Sequence, residues 1–221
     1  MAVKEQVSYR QRQAQATREA IARAARELFR ERGYVGTTIQ AISEAAEIPA
    51  PTIYSALGNK PRILEEIRRL WIAESSVQDL HDQAMATPDP AARLRLAARW
   101  TRRQLELGSD VITIYQEAAR ADPRMAEVWR TVLAGRERAV RRLIVSLERR
   151  LAPGVTVARA VDVFLTCTLS EVYRCLVVER GWSPDSYQTW LADLLTHQLL
   201  GPTDGGGGRS APDRETDMTE G

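Results

Sequence analysis

At 221 residues, with 44% hydrophobic and 27% charged side chains, the chain can bury one large core or two modest ones without help from disulfides. Its net charge of +2 is too small to mark a nucleic-acid binder, but the excess lies at one end: residues 1–69 hold 12 Lys/Arg against 8 Asp/Glu, and residues 70–200 hold 17 against 16. The N-terminal stretch has no apolar leader core, and the long apolar run from Val161 to Val178 carries Asp162, Glu171 and Arg174, so neither a secretory leader nor a membrane span is expected and a cytoplasmic protein is the default.

Residues 1–16 are polar and rich in Arg and Gln, which predicts a flexible basic arm. From Thr17, apolar residues recur at Ile21, Ala24, Ala25, Leu28 and Phe29, the i, i+3, i+4, i+7, i+8 spacing of one helical face. Gly33 supplies the stop. Thr37 and Gln40 fit a capping box for a second helix that buries Ile39, Ile42 and Ala46. A break at Ile48-Pro49 separates it from a third helix bearing Thr52, Tyr54 and Ser55 and leading to Lys60. Two short helices split in this way, the second carrying hydroxyls and an aromatic ring, outline a DNA-reading helix-turn-helix. Because proline lacks an N–H and disfavours the α region for its predecessor, Ala50 is expected to cap the third helix and Pro51 to be its first helical residue.

A long helix is predicted from Lys60 through Ile63, Leu64, Ile67, Leu70 and Trp71 towards Met85. Asp89-Pro90, Asp122-Pro123 and Ser183-Pro184 mark later helix starts. Gly108 reads as closing one helix before another opens at Ser109 or Asp110. The helix after Asp122 carries an apolar stripe from Met125 to Leu151, and the last runs from Pro184 to about Leu200. Between them Val157 to Arg180 is apolar on more than one side and so needs two partners, its own core and a second subunit. Cys167 and Cys175, eight apart on that helix, would lie about 12 Å apart and could not pair; they read as buried structural thiols or, alternatively, as a thiol sensor. Strand-like alternation is absent, which predicts an all-α protein. After Gly201, four consecutive glycines and acidic residues predict a disordered tail over residues 201–221.

Three stretches carry a family resemblance: LFRERGY, GTTIQAISEAAEI and TIYSALGNKPRIL. Together they resemble the N-terminal domain of the TetR family of transcriptional regulators over residues 17–64, and the helix layout is similar to the family over roughly residues 15–200. The resemblance implies a three-helix helix-turn-helix head over residues 17–59. It also implies a roughly six-helix ligand-binding and dimerisation domain over residues 60–200, forming a homodimer through its last two helices. The implied function is ligand-responsive transcription regulation, most often repression, with release from a pseudo-palindromic double-stranded DNA operator by a small-molecule effector.

For DNA contact, a hydroxyl at a helix start suits phosphate oxygens, so Thr37 or Thr38 is a backbone-contact candidate. Tyr54 and Lys60 match the family's phosphate-contacting tyrosine and lysine, and Asn59 stands beside Lys60. Thr52 and Ser55 offer hydrogen bonds to base edges, and the methyls of Ala50 and Thr52, with Pro51 between them, suit thymine methyls. The sequence departs from the family at Pro49, Ala50 and Pro51, where a polar residue, a lysine-like residue and glycine are usual. It departs again at Ala56-Leu57, where histidine and phenylalanine are more frequent, leaving Leu57 to fill the core position. With no Arg or Gln for a bidentate base contact, this helix should read sequence sparingly. Arg10 or Arg12 is the candidate for added minor-groove contact.

By the same resemblance an effector cavity would lie among helices four to eight, with Trp100, Gln104, Tyr115, Trp129, Glu171 and Tyr173 as candidates. Glu171 interrupts an apolar helix and either meets ligand or pairs with Arg174. Apolar walls with few polar groups suggest a mostly apolar, aromatic or cationic ligand. His81 and His197 have no metal-spaced partners, and no phosphate loop or nucleophile elbow is present, so no catalytic residue, metal or cofactor is expected. Two other readings stay open: a DNA-bound architectural or division-control protein without inducer, and a small-molecule binder with a degenerate head.

Overall fold

The computed structural model describes residues 9–200; residues 1–8, half of the expected arm, and the expected tail over 201–221 lie outside the described residues. The helices are α1 (Tyr9–Gly36), α2 (Ile39–Ala46), α3 (Ala50–Ala56), α4 (Lys60–Glu74), α5 (Val77–Ala86), α6 (Pro90–Ala121), α7 (Pro123–Val145), α8 (Val157–Cys167), α9 (Ser170–Tyr173) and α10 (Pro184–Leu200). No strand occurs among the described residues, and none of their helices is long and apolar enough to cross a membrane.

Several expected boundaries move, each for a local reason. Residues 9–16 are helical rather than part of a loose arm, and Gln15 links the early turns of α1 to Glu19 (2.7 Å) and to Glu66 of α4 (3.4 Å). Gly33 does end the regular helix, at φ 74°, a left-handed conformation that glycine adopts without strain. Thr38, not Thr37, caps α2 by accepting a hydrogen bond from Ala41 N at 3.1 Å. Helix α3 begins one residue early: Pro49 is the cap, and its carbonyl accepts from Thr52 N (2.8 Å) and Ile53 N (3.2 Å). Ala50 is the first helical residue, and Pro51 follows where a missing N–H costs nothing because first-turn donors have no partner inside the helix.

The long helix predicted from Lys60 to Met85 breaks at Ser75-Ser76, where Ser75 Oγ donates to Ile72 O (2.9 Å) and Ser76 takes φ 50°. Gly108 leaves the helical conformation at φ −157° and ψ 23°, so α6 is two helical runs meeting at a kink, as expected. Helix α7 stops at Val145, short of Leu151, and a 3-10 turn covers Glu148–Arg150. The expected helix over 157–180 is interrupted at Thr168, then resumes as α9 and a π-helical stretch, Arg174–Glu179. Cys167 and Cys175 therefore flank an irregular backbone; both are free thiols, and burial pushes the Cys167 pKa up. The three proline-marked starts hold: Asp89 accepts from Ala92 N (2.8 Å), Asp122 from Arg124 N (2.8 Å) and Ser183 Oγ from Ser186 N (3.0 Å).

Two apolar clusters fill the interior. One joins Ile21, Phe29, Ile42, Ile53, Leu64 and Trp71 of α1–α4 to Val111, Ile114, Tyr115 and Ala118 of α6 and Met125 of α7. The other joins the first half of α6, from Leu94 to Leu105, to α5, α7, α8 and α10. Helix α6 spans both, Gly108 lies between its two contributions, and Ile112 packs against each cluster. The apolar division thus does not fall at residue 60.

A pH effect follows from the α1–α4 contact. The Glu66 carboxyl is held below its usual range first by the hydrogen bond from Arg69, then by that residue's charge, the Gln15 hydrogen bond and Arg18. A depressed carboxyl pKa adds stability above the unfolded value of about 4.3 that is lost as pH falls through the native value. Glu66→Gln should therefore destabilise the protein at pH 7, by about 1 kcal/mol or less since Arg69 is half exposed. In thermal melts the gap from the parent should close below about pH 4.

Candidate nucleic-acid interface

Helix α3 is short and one-sided. Ile53 is fully buried and Leu57 packs against the head cluster, filling the expected core position. Pro51, Thr52, Tyr54 and Ser55 are exposed, Tyr54 to 58%, and Ala50 is half-buried. Thr38 is exposed at the start of α2, and Asn59 is exposed where its Oδ1 caps α4 by accepting from Arg62 N at 3.2 Å. All of these groups are at or near the surface, as a DNA-reading face requires. Arg10 and Arg12 are exposed on the first turns of α1.

Thr37 is placed otherwise. It is 1% exposed, and its hydroxyl donates to Gly33 O (2.8 Å) and Leu28 O (3.2 Å), satisfying carbonyls that α1 leaves open at its end. The candidate pair of threonines resolves into an inward staple, Thr37, and an outward cap, Thr38. Lys60 is half committed to the fold. Its ammonium donates to Tyr34 O (2.7 Å) and Thr37 O (2.9 Å) and sits 4.5 Å from the Tyr34 ring centroid. Burial pulls its pKa down, while Glu117 acts in the opposite direction. With two acceptors bonded, one N–H of the three is left for a phosphate.

The head is fastened to α6 at three places that sequence patterns do not reveal. Glu117 accepts from Tyr34 N (2.9 Å) and Val35 N (3.3 Å), and a Cβ on Gly33 would come within 2.6 Å of Glu117 Oε1. Arg26 of α1 donates to both carboxylate oxygens of Asp110 (2.7 Å each) and to Leu107 O (2.6 Å), and the Asp110 hydrogen bond raises the Arg26 pKa. Trp71 Nε1 donates to Gln104 O at 2.9 Å, beside the kink at Gly108. The available signal was weak: Arg26 and Glu117 each adjoin apolar positions, Ala25 and Ala118, that face the core.

Residues 21–67, from the middle of α1 through most of α4, match the model of the family described as bacterial regulatory proteins, tetR family. Over this segment the chain is of the TetR type. Members are DNA-binding transcription regulators and not enzymes. Beyond this TetR-type head, the whole fold resembles solved regulators. The transcriptional regulator FadR from Bacillus subtilis, in complex with stearoyl-CoA, superposes with a TM-score of 0.66 at 16% identity, covering 81% of this chain and 98% of that one. The TetR-family regulator PfmR from Thermus thermophilus gives 0.58 at 20% identity, covering 82% and 97%. NalD, the secondary repressor of the MexAB-OprM multidrug efflux pump in Pseudomonas aeruginosa, gives 0.58 at 21% identity, covering 85% and 98%. No curated protein matches the sequence.

The expected effector residues divide between the two apolar clusters. Tyr115 and Trp129 stack at 5.5 Å in the head-side cluster, where Tyr115 Oη also reaches Leu64 O at 3.4 Å. Trp100 and Tyr173 belong to the other cluster, with Trp100 between His81 (5.3 Å) and Phe164 (6.2 Å). Gln104 contributes its carbonyl to Trp71. Glu171 is exposed and accepts from Gln116 Nε2 (3.2 Å) and Ser170 Oγ (3.0 Å), while Arg174 pairs with Glu179 instead. The expected Glu171–Arg174 pair is therefore not formed. A cleft of about 400 Å³ lies between α1, α4 and α6, lined by Arg23, Arg26, Ile67, Leu70, Glu74 and Asp110 among others.

Proposed function

We propose that this chain is a ligand-responsive transcriptional repressor that binds a pseudo-palindromic operator as a homodimer and leaves it when a small molecule binds the C-terminal domain. The observation that carries the reading is the outward face of α3, with Thr52, Tyr54 and Ser55 exposed over a buried Ile53, on a head whose α1–α2 turn is gripped by Glu117 of α6. Thr38, Tyr54, Asn59 and the remaining Lys60 N–H hold phosphates; Ala50, Pro51, Thr52 and Ser55 meet base edges. Two such heads would enter successive major grooves about 34 Å apart. Dimerisation uses the region from α8 to α10, where Leu169 (42%), Val178 (71%) and Trp182 (37%) are exposed apolar groups that a second copy would cover. Similar folds that support the reading are FadR, a transcriptional regulator in complex with stearoyl-CoA, and NalD, a secondary repressor.

Selection on random double-stranded DNA, followed by gel shifts with candidate effectors, tests the proposal. It expects a palindromic site and release by some small molecule; scattered or sequence-independent binding would sink it. Within the selected site, Thr52→Ala should relax preference at one base pair per half-site by about 1 kcal/mol, roughly fivefold. A uniform loss on every sequence would count against base contact.

A further inference from the structure

The end of α7 carries a row of cations without carboxylate partners among the described residues. Arg138 and Arg142 recur four residues apart and so share one side of the helix with Ser146, and Arg149 and Arg150 follow on the 3-10 turn. All four arginines are exposed, and none of their guanidinium groups meets an ion-pair or hydrogen-bond partner among the described residues. Arg93 of α6 adds a further charge at the same place, where its Nη1 donates to Ser146 O (3.1 Å) and Ser146 Oγ (2.8 Å). Of the two acids within residues 136–150, Glu137 is engaged by Arg141 at 3.6 Å, which leaves Glu148 alone against the row. Like charges one helical turn apart repel, so the row is a standing cost that an anion would relieve.

The chain itself brings acids to this place. Ala152, two residues past Arg150, donates its N–H to Leu199 O (2.8 Å), and Leu147 and Leu151 pack in one cluster with Leu199 and Leu200. Helix α10 therefore ends beside the 3-10 turn, with Leu200 within roughly 15 Å of Arg150 along the connecting backbone. From there residues 201–221 hold 2 Lys/Arg against 5 Asp/Glu, and Asp213, Glu215, Asp217 and Glu220 stand close together. The stretch from Leu200 to Asp213 can span up to about 45 Å, and the row from Arg150 back to Arg138 is only about 20 Å long.

From this juxtaposition we infer that the arginine row at the end of α7 is a docking surface for the chain's own acidic segment, Asp213 to Glu220. A single exposed ion pair is worth little, but four acids face four arginines, and the tether holds them at an effective concentration of about millimolar. The location gives the contact its use. Leu143, Ile144 and Leu147 bury into the cluster away from the head, and Arg142 stands about 26 Å along α7 from Met125, where that helix meets the head cluster. A row so far from the reading helix, left uncovered, would hold DNA of any sequence by its phosphates. Covered by acids, it leaves DNA contact to the head.

Two measurements on the full chain test the inference. In the first, a photoreactive benzophenone side chain replaces that of Met218, and the crosslinks formed on irradiation are mapped by peptide mass spectrometry. They should fall within residues 138–150 of the same chain at ~20 mM salt and vanish near ~1 M, where the screening length is about 3 Å. Crosslinks that are scattered over the surface, joined to a second copy or absent overturn the inference. The second measurement is affinity for duplex DNA that lacks the operator. Neutralising the segment by Asp213→Asn, Glu215→Gln, Asp217→Asn and Glu220→Gln should tighten binding about tenfold at ~50 mM salt and steepen its salt dependence by about two to three units of slope. Adding Arg142→Gln, Arg149→Gln and Arg150→Gln should return both to parental values. The same loss of charge at Arg99, Arg103 and Arg180, exposed arginines of other elements, should not. Equal reversal by the two triple sets would make net charge the cause and overturn the inference. If removing the three row arginines from the parent already weakens this binding as much, DNA occupies the row and the acidic segment does not. If the crosslinks form as expected and no variant binds DNA, the docking stands and the DNA-binding reading falls.

Discussion

Gly108→Ala should destabilise the protein by about 3 kcal/mol or more, seen as a fall of roughly 10 °C in melting temperature. A Cβ at this position would overlap the indole of Trp71, closer than any real carbon–nitrogen contact, and that indole is 8% exposed and bonded to Gln104 O. The ring cannot retreat without leaving the carbonyl unpaired and opening a hole under α4. Trp71→Ala alone should cost about 3–5 kcal/mol through the cavity it leaves. The two changes should be strongly non-additive. With the indole gone the clash has no object, and Gly108→Ala should then cost about 1 kcal/mol or less. Melts of the two single variants and the double variant check this. Additive losses would mean that the glycine serves some purpose other than making room for the ring.

Lys60→Ala should act on two measurements at once. Removing the ammonium strips Tyr34 O and Thr37 O of a charged donor and the Tyr34 ring of its cation, which should lower stability by about 2 kcal/mol. Loss of the third N–H from a phosphate should weaken binding to all DNA sequences alike and flatten the dependence of affinity on salt by about one unit of slope. A drop in stability with an unchanged salt slope would make Lys60 a purely internal fastening.

What could be read in the sequence, and what could not, divides on whether the cause lies within a few residues. The apolar stripes, the proline-marked starts after Asp89, Asp122 and Ser183, and the stop at Gly33 are local, and each stands. The outward hydroxyls and ring of α3 follow from the same periodicity. The capping threonine was off by one, because the hydroxyl of Thr37 is drawn inwards by carbonyls at Leu28 and Gly33, which a spacing rule does not weigh. The remaining differences have distant causes. The interrupted backbone at Thr168 is met by Arg136, 32 positions earlier. The effector candidates Tyr115 and Trp100 share one helix, yet lie on opposite sides of its kink and serve different clusters.

That shared cluster beneath the reading helix governs how such regulators can exchange parts. A chimera joined after Glu74 would carry Phe29, Ile67 and Trp71 to a foreign body without the Val111, Ile114, Tyr115 and Met125 surface they are shaped against. It would also lack the carboxylates of Asp110 and Glu117 that grip Arg26 and the α1–α2 turn. The transplantable unit is therefore discontinuous, α1 to α4 together with the second half of α6 and the start of α7. Recombination that respects it must cross over at Ser75-Ser76, near Gln104, and beyond Trp129.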